Sequence, residues 1–154
     1  MATFVIVHGG HAGGWQWRGV ALFLEAARHA AHRPTLTGLG ERVHLASPAV
    51  DLAVHVQDVV NVLAYEDVRE VILVGHSYAG MVITGVAERV PERLRHLVYL
   101  DAFVPEDGES ARAILARVLG PTVATALEEQ VRAMARVGVF LVPRPIRTAH
   151  RLHA

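Results

Sequence analysis

At 154 residues the chain is long enough for one modest domain, which buries about two-thirds of the surface its unfolded form exposes. A composition of 52% hydrophobic and 19% charged residues is that of a globular chain, not a disordered one. Its 15 basic residues are all Arg and there is no Cys, which excludes lysine nucleophiles, Schiff bases, disulfides and thiolate chemistry, while 15 acidic residues bring the formal charge to zero and leave no basic footprint for nucleic acid.

The N-terminus, Met1-Ala2-Thr3, has no basic n-region, and the apolar run Phe4–Val7 is too short for the core of a secretory signal. That run, ending in His8-Gly9-Gly10, predicts a strand buried on both faces of a parallel sheet. From Trp15 to Arg28, Trp17, Val20, Ala21, Leu24 and Ala27 recur at helical spacing. A second strand is expected over His29–Leu36, followed by a loop over Thr37–Pro48 punctuated by Gly38 and Gly40. Asp51 is placed to cap a helix whose buried face is Leu52, Val56, Val59, Val60 and Leu63. Val71–Val74 predicts a buried strand, Tyr78–Val90 a helix stopped by Pro91, and Leu97–Leu100 another apolar strand leaving through Pro105. The stretch Val71–Ala87, the longest apolar one, is interrupted by His76, Ser77 and two glycines, so no membrane span is expected and a cytoplasmic protein is. Ser110–Leu119 and Thr122–Val137 predict two amphipathic helices; beyond Gly138 the Pro-, Arg- and His-rich tail has no period and is expected to be irregular. Alternating strands and helices predict an α/β fold with a parallel sheet.

The strongest chemical signal is Val71-Ile72-Leu73-Val74-Gly75-His76-Ser77-Tyr78-Ala79-Gly80. A buried strand turning sharply into a helix with a serine at the apex is a nucleophile elbow, and the positions two residues either side of the serine must be small. Gly75 meets this, and Ala79 stands where Gly is usual, with Gly80 after it. Such a turn presents the Ser77 hydroxyl at the carboxyl end of the sheet and aims the Tyr78 N–H into the same space, as an oxyanion donor at a helix N-terminus. The glycine-rich loop His8–Trp15 offers the second donor, for which Gly10 is the candidate. Taken singly, the first turn is equally a plain strand–helix junction and the loop equally a phosphate-binding turn; their joint presence, each after a buried strand, favours the hydrolytic reading.

Five segments carry a specific resemblance: Val7-His8-Gly9-Gly10, Gly13-Gly14-Trp15-Gln16-Trp17, Pro34 through Arg42, Gly75 through Val82, and His96 through Pro105. They resemble the α/β-hydrolase group of plant methylesterases, hydroxynitrile lyases and bacterial relatives, from about Phe4 to about Ser110. The resemblance implies a partial α/β-hydrolase fold, a parallel sheet flanked by helices and truncated before the last strands. Residues 1–108 would form the N-terminal part of the core, 109–138 the start of a helical cap, and 139–154 an irregular tail where the likeness fails, as in a cut-off or frame-shifted ending. It implies Ser77 as nucleophile, the Gly10 and Tyr78 N–H groups as oxyanion hole, a small-molecule ester as substrate, and neither cofactor nor metal. The family's acid and histidine are not recognisable in this chain, so a catalytically impaired carboxylesterase-like protein is expected. A non-catalytic ligand binder is one alternative. Cyanohydrin cleavage is another, and the absence of Lys counts against it.

Other residues have plainer readings. The histidine pairs His8/His11, His29/His32 and His150/His153 lack clustered carboxylates and suit chance spacing better than metal ligation. His150 and His153 are poor bases in a tail with nothing to fix them. His76 should point away from Ser77 and serve packing; Asp101 is expected to be structural; Trp17, Met81 and Val82 should belong to the core; and Glu41-Arg42 suits a local ion pair. The family places two more strands beside Leu97–Leu100 and neither is recognisable here, so this strand is expected to be an exposed apolar edge that invites self-association.

Overall fold

The computed structural model describes residues 1–136. Strand β1 (Thr3–Val7) leads through a 3-10 turn (Gly14–Trp17) into helix α1 (Arg18–Ala26), and β2 (Ala30–His32) leads through a second such turn (Gly40–Leu45) into α2 (Leu52–Tyr65). Then follow β3 (Val71–Ser77), α3 (Ala79–Arg89), β4 (Leu94–Ala102), α4 (Ala111–Leu119) and α5 (Pro121–Arg136). The four strands form one all-parallel sheet in the order β2-β1-β3-β4, with Val5 opposite Leu73 and Leu73 opposite Leu97. The continuous apolar runs of β1 and β3 therefore fill its two central places, where Val5, Val7, Val71 and Leu73 are fully buried.

Alternation along β3 separates the two faces. Gly75 faces α3, where an added Cβ would lie 2.9 Å from the Ile83 Cδ1, whereas the His76 ring meets Trp17 edge-on at 5.7 Å. The α2–α3 face holds the core: Val56, Val59, Leu63, Val82, Ile83 and Val86 are all fully buried, each worth about 1.5–3 kcal/mol relative to exposure. Helix α2 starts as expected, the Asp51 carboxylate accepting from the Val54 N–H at 3.1 Å, a cap worth about 1 kcal/mol. The Ser110 hydroxyl caps α4 in the same way at 3.2 Å.

Four expectations are corrected. The second strand is Ala30–His32 only: Pro34 has no N–H to give a ladder, and two residues on the Leu36 amide donates to the His8 side chain. In the Trp15–Arg28 segment the helix begins at Arg18, and of the expected stripe only Ala21 is buried; Trp17 and Leu24 are half-buried and Val20 and Ala27 exposed. Leu22 and Phe23 are exposed too, because α1 reaches the sheet mainly at β2. Val60 is half-buried within the α2 stripe. The strand at Leu97–Leu100 is longer than expected, Leu94–Ala102, and among the described residues it is an edge with Leu97, Val98 and Leu100 exposed. Among the described residues no helix is long and apolar enough to cross a membrane. The expected tail over 139–154 lies outside the described residues.

Candidate active site

Ser77 is the last residue of β3 and has φ 54°. This left-handed conformation costs a non-glycine residue about 1–2 kcal/mol, and the surroundings enforce it. An added Cβ on Gly75 would meet the Ala79 carbonyl oxygen at 2.8 Å, so the strand can turn back on α3 only with glycine there. At Gly80 it would lie 2.0 Å from the Phe103 carbonyl oxygen, which lets the chain leaving β4 pass close over the start of α3. Ala79 is fully buried, so a side chain of one carbon fits this side of the turn.

The peptide joining Ser77 to Tyr78 is trans and has a defined direction. The Phe103 N–H donates to the Ser77 carbonyl at 3.0 Å; the Tyr78 N–H, on the opposite edge of the same plane, therefore points away from β4. Lying N-terminal to α3, it has no intrahelical acceptor. On that other side the first loop packs against the serine: an added Cβ at Gly9 would be 3.3 Å from the Ser77 Cβ and 3.3 Å from the His76 Nδ1. Gly10 is buried in this loop. His8 shapes the loop from within. It is fully buried, its Nε2 accepts from the Leu36 N–H at 3.0 Å, and its Nδ1–H donates to the Gly9 carbonyl at 2.7 Å. That pattern requires neutral imidazole, and burial lowers its pKa accordingly.

A polar network behind the elbow escaped the sequence reading. His55 of α2 is fully buried; its Nε2–H donates to the Thr37 carbonyl at 2.8 Å, and its Nδ1 is 3.0 Å from the Tyr78 hydroxyl. Burial lowers the His55 pKa and raises that of the Tyr78 phenol, so the neutral pair is linked by the tyrosine O–H donating to Nδ1. Asp58 accepts from the Thr37 N–H at 2.7 Å and its hydroxyl at 2.9 Å. Glu41 and Arg42 fasten the loop onto other residues: the Thr35 hydroxyl donates to Glu41 at 2.6 Å, and Arg42 donates to the Thr35 carbonyl at 2.8 Å and pairs with Asp58 at 3.9 Å. The available signal was His55 itself, which shares the apolar stripe of Leu52, Val56 and Val59 at helical spacing.

Among the described residues no side chain is hydrogen-bonded to the Ser77 hydroxyl, and no group of three His, Asp or Glu residues is arranged to hold a metal ion. His76 points to the opposite face from Gly75, and its Nδ1 and the Trp17 Nε1 have no partner among the described residues. Trp17 is half-buried and Trp15 exposed, while Met81 and Val82 are core. Asp101 is exposed, at φ 44° beside the register shift that ends the β3–β4 ladder. A cleft of about 340 Å³ separates the end of β4 from α4, lined by Phe103, Val104, Ile114, Leu115 and Val118. His150 and His153 lie outside the described residues.

The chain is 52% identical over 123 residues to a carbendazim hydrolyzing esterase of Nocardioides sp. (strain SG-4G), covering 80% of this chain and 51% of that protein. It is 30% identical to salicylic acid-binding protein 2 of Nicotiana tabacum, covering 73% of this chain and 44% of that one. Among solved structures, an extracellular α/β-hydrolase from a Paenibacillus species superposes with a TM-score of 0.76 at 30% identity, over 88% of this chain and 53% of its own. The chain thus spans about half the length of the relatives it matches. The model of the alpha/beta hydrolase family matches residues 4–153, running past Gly138, where the likeness was expected to fail. With the parallel sheet and the serine elbow in place, the chain belongs to the alpha/beta hydrolase family.

Proposed function

We propose that the protein is a serine hydrolase of small carboxylic esters, with Ser77 as nucleophile and the Gly10 and Tyr78 N–H groups as oxyanion hole. The observation that carries this reading is the positive φ of Ser77 at a strand-to-helix turn with the Gly9 loop packed against its Cβ. Ser77 Oγ would attack the ester carbonyl carbon, and the resulting oxyanion would lie between the two N–H groups. Loss of the alcohol leaves an acylated Ser77, which water then hydrolyses to the acid. The esterase relative supports ester chemistry.

The hydroxyl proton needs a base, and among the described residues none is bonded to Ser77. On this reading residues 1–136 supply nucleophile and oxyanion donors without the base, and the chain turns over esters slowly. Losing the histidine of such a triad lowers turnover on the order of a million-fold. The same lack of a bonded base favours a second reading, a ligand-binding protein that keeps the site without catalysis. A fluorophosphonate probe separates them. Slow covalent labelling that disappears in Ser77→Ala supports the hydrolase, whereas saturable binding of an ester analogue with no adduct supports the binder. Rapid labelling lost in Ser77→Ala would show that the chain contains a working base, with His150→Ala and His153→Ala as the first variants to make.

A further inference from the structure

We propose that His55 and the Tyr78 hydroxyl are a positioning pair that keeps the Tyr78 N–H aimed at the reacting carbonyl oxygen; this rests on Ser77 being the nucleophile. The peptide plane between Ser77 and Tyr78 turns as a unit. One edge is held where the Phe103 N–H meets the Ser77 carbonyl at 3.0 Å. The other edge carries the Tyr78 N–H, and the Cα to which that nitrogen is bonded is the one that carries the Tyr78 ring, so holding the ring limits where that end of the plane can sit. The far end of that ring is anchored 3.0 Å from the His55 Nδ1.

The anchor itself has little freedom. His55 is fully buried, its other nitrogen donates to the Thr37 carbonyl at 2.8 Å, and Thr37 is held twice by Asp58. A carbonyl only accepts, so the His55 proton is on Nε2 and Nδ1 offers a lone pair to the tyrosine O–H. Three segments, α2, the loop after β2 and the elbow, are thereby tied to one aromatic ring. Freeing the ring leaves a buried lone pair unsatisfied and releases one constraint on the strained serine.

The test uses the full 154-residue chain in wild-type form and as Tyr78→Phe, His55→Leu and, as a control of general destabilisation, Leu63→Ala. Two amides report on the elbow directly: Phe103 N–H, bonded to the Ser77 carbonyl, and Met81 N–H, bonded to the Tyr78 carbonyl. Residue-resolved hydrogen exchange by NMR should show both exchanging at least about tenfold faster in Tyr78→Phe and His55→Leu, relative to the Val5 and Leu73 amides of the central strands. In Leu63→Ala all four should accelerate together. A small misplacement near the chemistry should also slow Ser77 phosphonylation about tenfold at saturating fluorophosphonate, with the half-saturating concentration unchanged. Unaltered Phe103 and Met81 exchange in both variants, or acceleration no more local than in Leu63→Ala, overturns the positioning role. A wild-type chain whose labelling is the same in Ser77→Ala defeats the nucleophile assignment instead, while the exchange comparison still decides whether the pair holds the elbow.

Discussion

Strands β3 and β4 are neighbours with similar sequences and opposite environments. Val71-Ile72-Leu73-Val74 and Leu97-Val98-Tyr99-Leu100 are both continuous apolar runs, yet Val71 and Leu73 are fully buried whereas Leu97, Val98 and Leu100 are 36%, 39% and 45% exposed. The difference is place in the sheet: among the described residues, β3 has a partner strand on each side and β4 on one. An apolar run shows that a strand suits burial on both faces; only strand order shows whether the described residues provide it. The site draws on both sides of β3. Among the described residues, Ser77 is held by the Gly9 loop on the β1 side and by the chain leaving β4, which crosses at Phe103 over Gly80.

The largest contrast should come from truncating the two strands in turn. Leu73→Ala opens a cavity in the closed core and should cost about 2–5 kcal/mol in urea unfolding, while Leu100→Ala, already partly in water, should cost less than about 1 kcal/mol. Equal losses would break the distinction. Gly80→Ala probes the place where the chain leaving β4 crosses the start of α3. Helix propensity would favour alanine by about 1 kcal/mol, but the Cβ would strike the Phe103 backbone, so a net loss of about 1–3 kcal/mol is expected. A gain in melting temperature would show that the crossing yields.

Acid should act on the closed side. Burial lowers the pKa of both His8 and His55 below 6.5, so at mildly acidic pH the unfolded chain binds more protons than the folded one. Their contribution is fully present above pH 6.5 and is lost as pH falls below it, toward their folded values. Unfolding free energies measured between pH 8 and pH 5 should therefore decline below about 6.5, and the decline should be smaller in His55→Leu. The smallest effect on stability belongs to the edge: Val98→Lys should change it by only about 0.5 kcal/mol. A lysine on an open strand blocks edge-to-edge pairing, so light scattering should show wild-type chain associating at high concentration and the variant less so. A monodisperse wild-type monomer would mean the edge does not associate.

Much of the elbow is legible in the residues. Gly75 and Ser77 after an apolar strand require a tight turn, and Asp51 marks its helix because a carboxylate at that position has an amide to cap. The segment after Ala30 is harder to read: its amides bond to side chains remote in sequence, Leu36 to His8 and Thr37 to Asp58, and no local pattern encodes such partners. The α1 stripe misled for a related reason. Helical spacing identifies a face, but Val20 and Ala27 of that stripe lie where the described residues place little against them. The His55–Tyr78 contact joins residues 23 apart in sequence, and only the histidine's place in an apolar stripe hinted at it.

The most direct test of Ser77 as nucleophile is prolonged incubation of the purified chain with excess fluorophosphonate, followed by peptide mapping in the mass spectrometer. A serine held at φ 54° beside the Gly9 loop and the Tyr78 N–H should carry the phosphonyl group on the peptide containing Ser77, formed slowly and absent in Ser77→Ala. An adduct on other residues, or one formed equally in Ser77→Ala, would contradict it.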